Sequence, residues 1–204
     1  MPAPLPITTS VLLESLRNER DQSGWTAFSD RYWPVLVGFG RKLGLQESDA
    51  ADAAQWTLTE FLRLFRDGKY ERGRGRLSAF VIGIARNRIR TLLRQMHRTP
   101  HGLNESGPAD EPAMPDDSSL TLIWEQERRR AILQAALAEL RRSSRMSPAG
   151  LRAFELVALQ SLSPQEAARE TGISVDDVYL ARHRCTRRLR ELVASLTEAW
   201  ELDA

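Results

Sequence analysis

The chain has 204 residues, room for one large or two small domains, and its formal charge of +2 conceals a pI near 9.0. Cys185 is the only cysteine, which excludes an intrachain disulfide or a cysteine-rich zinc site and fits a reducing, cytoplasmic setting. No segment reaches the roughly 20 apolar residues of a membrane span, and Met1-Pro2-Ala3-Pro4-Leu5-Pro6 has neither the basic residue nor the apolar run of a secretory leader, so no membrane insertion is expected.

Helical periodicity dominates and no period-two alternation is sustained between hairpin turns. The expected fold class is all-α, as two small helical domains joined by a flexible linker. After a tail over residues 1–10, a first lobe (11–98) opens with Val11, Leu12, Leu13 and Leu16, followed by Trp25, Phe28, Tyr32 and Trp33 along one side of a helix. Pro34 should begin or kink the next helical piece. Ser48-Asp49 predicts a capped helix start, after which Ala54, Leu58, Phe61, Leu62 and Phe65 form one apolar stripe, closed by Asp67-Gly68. A glycine-punctuated basic loop, Lys69 to Arg76, then leads into a helix from about Leu77 to His97. On it Leu77, Phe80, Val81, Ile84 and Leu92 make the core face, and Gly83, Arg86, Asn87, Arg90 and Arg94 lie opposite. Gly83 would let a backbone approach closely.

Residues 99–118 carry Pro100, Pro108, Pro112 and Pro115 with several acidic residues and no Lys or Arg, the composition of a flexible acidic linker. The second lobe (119–197, with a tail over 198–204) begins with a helix from near Leu120 to Arg142. Ser147-Pro148 and Ser163-Pro164 each put a serine cap before an N1 proline, and Glu166 completes a capping box with Ser163. Ser174 to Asp177 repeats the capping pattern. A helix from Pro164 to about Thr171, a turn at Gly172 and a helix from Val175 to about Ala194 outline a helix-turn-helix. Val178, Cys185, Leu189 and Leu192 share its inner face. Asp176, Tyr179, Leu180, His183, Arg184 and Arg187 point away, where a major groove would be entered. Asp177 fits a cap better than a contact, and the stem of Arg182 should pack near the apolar face.

Arg182, Arg184, Arg187, Arg188 and Arg190 occur with no acidic residue from Tyr179 to Arg190, a density suited to phosphate neutralisation. In the first lobe Lys69, Arg72, Arg74, Arg76, Arg86, Arg88, Arg90, Arg94 and Arg98 face only Glu71. A basic groove edged by aromatic rings, here Tyr70 and Phe80, can hold single-stranded DNA. One charged run alone is most often a solvated face; two separate ones on tethered lobes point to nucleic acid.

On these residues the chain resembles the sigma-70 family, in the compact extracytoplasmic-function form that retains regions two and four. Asp49-Ala50-Ala51-Asp52-Ala53-Ala54-Gln55 and the run from Leu77 to Asn87, ending Ile-Ala-Arg-Asn, are similar to region-two motifs, and the run from Leu162 to Val175 with Arg187 to Glu191 to region four. The resemblance implies that Asp49, Asp52 and Gln55 dock on the beta-prime clamp helices of core RNA polymerase. It also implies contact with the beta flap, and that Arg72, Arg74, Arg76, Arg86, Asn87, Arg90 and Arg94 face a melted minus-ten promoter element. Tyr179, His183, Arg184, Arg187 and Arg188 would face the minus-thirty-five element. Promoter DNA and core polymerase are thus the implied partners, with an anti-sigma factor as a further candidate, and neither a cofactor nor a metal is implied. Trp56 and Thr91 depart from the family pattern, in which acidic residues are common at these positions. The competing readings are a stand-alone helix-turn-helix regulator and an enzyme. For the latter, His97, His101 and His183 lack a partnered acid or nucleophile, and Gly73-Arg74-Gly75 lacks the ending of a phosphate-binding loop.

Overall fold

A computed structural model of the chain describes residues 9–18, 22–71, 73, 75–97, 114–143 and 146–201; Arg72, Arg74, Arg98 and residues 99–113 of the expected linker lie outside them. Among the described residues there are eight α-helices and no strand: α1 (Thr9–Arg17), α2 (Gln22–Lys42), α3 (Glu47–Arg66), α4 (Leu77–His97), α5 (Asp117–Ser143), α6 (Pro148–Ala158), α7 (Pro164–Thr171) and α8 (Val175–Glu201). The fold class is all-α, as the periodicity indicated. Two compact units divide between Ala131 and Ile132. The division therefore falls inside α5, not at residue 119 where the linker composition ends.

In the first unit, α2 buries Phe28, Tyr32, Val35, Leu36 and Phe39 along one helical stripe. Pro34 lies inside α2 instead of opening a new helix. It sits on the exposed side, where one lost amide donor is outweighed by the aromatic burial opposite. Helix α3 starts at Glu47 and its N-cap, Gln46, makes no side-chain cap, so Ser48 falls within the first turn and does not cap it. Glu47 and Asp49 in that turn complement the positive end of the helix. Gly68, at φ +71°, follows its last turn.

Phe61 is the centre of this unit. Its ring stacks on Phe28 at 4.8 Å and meets Phe80 edge-on at 6.2 Å, linking α2, α3 and α4. Helix α4 buries Leu77, Val81, Ile84, Ala85, Ile89 and Leu93. Leu93 thus takes the place the sequence reading gave to Leu92, which is half-buried. The stripe drifts because 3.6 residues per turn do not repeat in whole steps.

In the second unit, Ala153, Leu156, Ala167, Ala168 and Val178 join α6, α7 and α8, while Ala136, Leu140, Phe154, Cys185 and Leu192 join the second half of α5 to α6 and α8. Helix α8 continues past Ala194 to Glu201 and buries Ala199 and Trp200, so residues 198–201 belong to the helix and not to a tail.

Helix α7 has the boundaries its caps dictate. Ser163 Oγ accepts from the Glu166 amide, the Glu166 carboxylate accepts from the Ser163 amide at 2.8 Å, and Gly172 closes the helix in the left-handed region at φ +70°. Ser163→Ala is expected to cost about 1 kcal/mol in urea denaturation of the chain. Hydrogen bonds from Ser163 hold the Glu166 carboxyl below the usual glutamate range. Its stabilising contribution is therefore complete above that range and is lost as pH falls through the depressed value. Glu166→Gln should accordingly lose less stability than the parent chain on acidification to about pH 4, in parallel urea melts followed by circular dichroism.

Candidate nucleic-acid interface

In the second unit the pair of α7 and α8, joined at Gly172, is fixed from behind. Ala167 and Ala168 of α7 and Val178 and Ala181 of α8 are buried, and their small side chains allow close helix approach. Ser174 starts α8 by accepting from the Asp177 amide at 3.0 Å while its hydroxyl donates to the Asp177 carboxylate at 2.7 Å. Asp177 is thereby part of the cap. With Val178, Ala181 and Cys185 turned inward, Tyr179 and Leu180 are left about half exposed, at 50% and 52%, and His183, Arg184 and Arg187 are exposed as well. Among the described residues neither Arg184 nor Arg187 is paired with a carboxylate. Arg188 is half-buried and bridges to Glu191 at 3.1 Å, which reduces its availability.

Arg182 differs from the sequence reading: it is exposed and not packed along the core. Together with Tyr179, His183, Thr186, Arg187 and Arg190 it lines one open concavity on α8. Thr186 was not singled out in the sequence, and Arg190 was counted there only within the basic cluster. Their spacing from Tyr179, seven and eleven residues along a helix, is the signal that places them on this stripe.

In the first unit, Arg76, Asn87 and Arg94 are exposed while Arg86 and Arg90 are half-buried. Gly83 is exposed, and among the described residues outside its own helix no atom lies within 4 Å of where a Cβ would stand. Arg86 Nη1 donates to the Asp117 carboxylate at 2.5 Å. Lys69, Tyr70, Glu71, Gly75, Arg76, Ala79 and Phe80 surround an open cavity of about 160 Å³ where the basic loop enters α4. Tyr70 and Phe80 meet there with centroids 5.3 Å apart. Phe80 is therefore both a core neighbour of Phe61 and part of the cavity wall.

A third surface lies on α3. Asp52 and Gln55 are exposed and Asp49 is half-buried, all on the side away from Phe61. Trp56 shares that side at 40% exposure, and the Arg88 guanidinium of α4 sits 5.5 Å from its ring centroid. This is a cation–π contact, and it holds the indole on the surface. Sequence reasoning noted Trp56 only as a departure, since nothing local to α3 reveals an arginine on another helix.

Residues 28–99 match the family model for Sigma-70 region 2. The matched stretch takes in α2 from Phe28, α3 and α4, and so carries both the α3 surface and the α4 arginines. A search of curated proteins finds no match to the chain. No helix among the described residues is long and apolar enough to cross a membrane, and no cluster of three His, Cys, Asp or Glu there could hold a metal ion.

Cys185 gives a direct check on the packing behind α8. Its thiol is fully buried beside the Met146 thioether, with sulfurs 3.2 Å apart, and burial followed by the charge of Glu155 pushes its pKa up. Since the thiolate is the reactive form, a disulfide reagent should modify it slowly in the native chain and rapidly in urea. Fast modification without denaturant would mean that α8 does not seat as described.

Proposed function

We propose that the chain is a sigma factor of the compact extracytoplasmic-function type, which carries core RNA polymerase to promoters and catalyses no reaction itself. The observation that carries this reading is the Sigma-70 region 2 match over α2 to α4. A capped helix-turn-helix with a basic outward face, in a separate compact unit, adds to it.

In this reading the α3 face with Asp49, Asp52 and Gln55 docks on the polymerase clamp. The basic loop and α4, through Arg76, Arg86, Asn87, Arg90 and Arg94 together with the sequence neighbours Arg72 and Arg74, face the melted minus-ten element. The cavity walled by Tyr70, Phe80 and Arg76 combines ring faces with positive charge, the chemistry that retains an unstacked base. Helix α8 offers Tyr179, His183, Arg184, Arg187 and Arg188 to the minus-thirty-five element. Phosphate contacts supply affinity and base-edge contacts supply sequence choice. Because the polymerase holds both units, two weak interactions multiply through effective concentration, so the free chain binds promoters poorly.

The deciding experiment mixes the purified chain with core polymerase and scores specific run-off transcripts. Tight duplex binding without polymerase, and no transcripts with it, would favour a stand-alone helix-turn-helix regulator. Arg184→Ala with Arg187→Ala should weaken transcription from minus-thirty-five-dependent templates, each lost base contact being worth about 1–3 kcal/mol. Asp52→Ala with Gln55→Ala should reduce co-purification with core polymerase while leaving the circular dichroism melt unchanged, because both side chains are exposed.

A further inference from the structure

The first unit does not end at α4. The opening half of α5 belongs to it, and its buried positions, Leu120, Trp124, Glu127 and Ala131, recur at the four-three-four spacing of one helical stripe. Trp124 is 1% exposed; its ring lies 6.4 Å from Tyr32 and meets Phe39 edge-on at 5.9 Å, both on α2. Next to it the Glu127 side chain crosses α2 at Gly38, where an added Cβ would fall 2.1 Å from Glu127 Oε2. The glycine leaves the space this crossing needs. The start of α5 is fixed as well, because Asp116 Oδ1 accepts from the Ser119 amide at 2.7 Å.

This anchoring sets Asp117 against Arg86 of α4 at 2.5 Å. The Asp117 side chain is 87% exposed and has no packing of its own, so an isolated pair of this kind would form only weakly. Seating of Leu120 and Trp124 within two turns of it removes most of the search, and the carboxylate is delivered to the guanidinium at high effective concentration. A carboxylate and a phosphate make the same kind of charge-assisted hydrogen bond to arginine.

We infer that residues 117–131 form an intramolecular strap, docked on α2 through Trp124, whose Asp117 carboxylate occupies Arg86 in place of a nucleic-acid phosphate. Binding of a DNA strand along α4 then requires Asp117 to give way. The inference rests on the proposed DNA-facing role of Arg86, and the test separates the two.

The test measures binding of a fluorescent single-stranded deoxyoligonucleotide of mixed sequence to the full-length chain at low salt, by anisotropy. It compares the parent chain, Asp117→Ala, Asp117→Glu, Arg86→Ala and the Asp117→Ala/Arg86→Ala double variant. Asp117→Ala should bind about two- to five-fold more tightly than the parent, the scale of one exposed charge pair. Asp117→Glu should restore parental binding. In the Asp117→Ala background, Arg86→Ala should weaken binding and abolish the gain, the non-additivity of residues in direct contact. If Arg86→Ala weakens binding but Asp117→Ala equals the parent, the strap is overturned while the role of Arg86 stands. If Arg86→Ala has no effect even without Asp117, the DNA-facing role of Arg86 fails and the strap falls with it. Asp117 is exposed, so its variants should fold, and unchanged circular dichroism melts verify this.

Discussion

A helix can hold arginines out to water on one side only if the other side is fixed by what it buries. That requirement organises both units. On α4 the anchor is Val81, Ile84, Ala85, Ile89 and Leu93 against the Phe28–Phe61 stack, and Asn87 and Arg94 are left exposed as a consequence. On α8 it is Val178, Ala181, Cys185 and Leu192, and the exposed stripe from Tyr179 to Arg190 follows from the same periodicity. Long cationic side chains lose much conformational freedom when they order, and a rigid helix beneath them limits that loss to the side chain itself.

The parts of this fold that were legible in the sequence are those written locally. Serine caps, an N1 proline and a left-handed glycine bound α7 at the residues expected, because each satisfies or terminates a backbone group within one turn. The inner and outer faces of α8 were likewise readable from a period of 3.6. What local rules could not supply was tertiary weight. Pro34 is tolerated inside α2 because Phe28, Tyr32 and Phe39 commit that helix to the core. Ser48 does not cap because the N-cap of α3 falls two residues earlier, at Gln46.

Helix α5 was the most opaque element for a related reason. Its buried set runs through Leu120, Trp124, Glu127 and Ala131 and then changes register to Ile132, Ala136 and Leu140. No single stripe describes it, so its first half read as part of the second lobe when Trp124 in fact packs with Tyr32 and Phe39. Among candidate site residues, Tyr179, His183, Arg184 and Arg187 share a solvent-facing surface as expected. Arg86 and Arg188 are each engaged by a carboxylate, which spacing along their own helices did not disclose for Arg86.

The small residues between α6, α7 and α8 have a wider consequence. Ala153, Ala167 and Ala181 are each at most 3% exposed, and a Cβ placed on Gly150 would stand 3.7 Å from that of Ala181. Extra methyl groups in such a seam would force the helices apart. The alanines of this seam are therefore a record of how near three cylinders come to one another. Those positions answer to helix spacing alone, so the exposed side of α8 could be rewritten residue by residue without disturbing the seam beneath it.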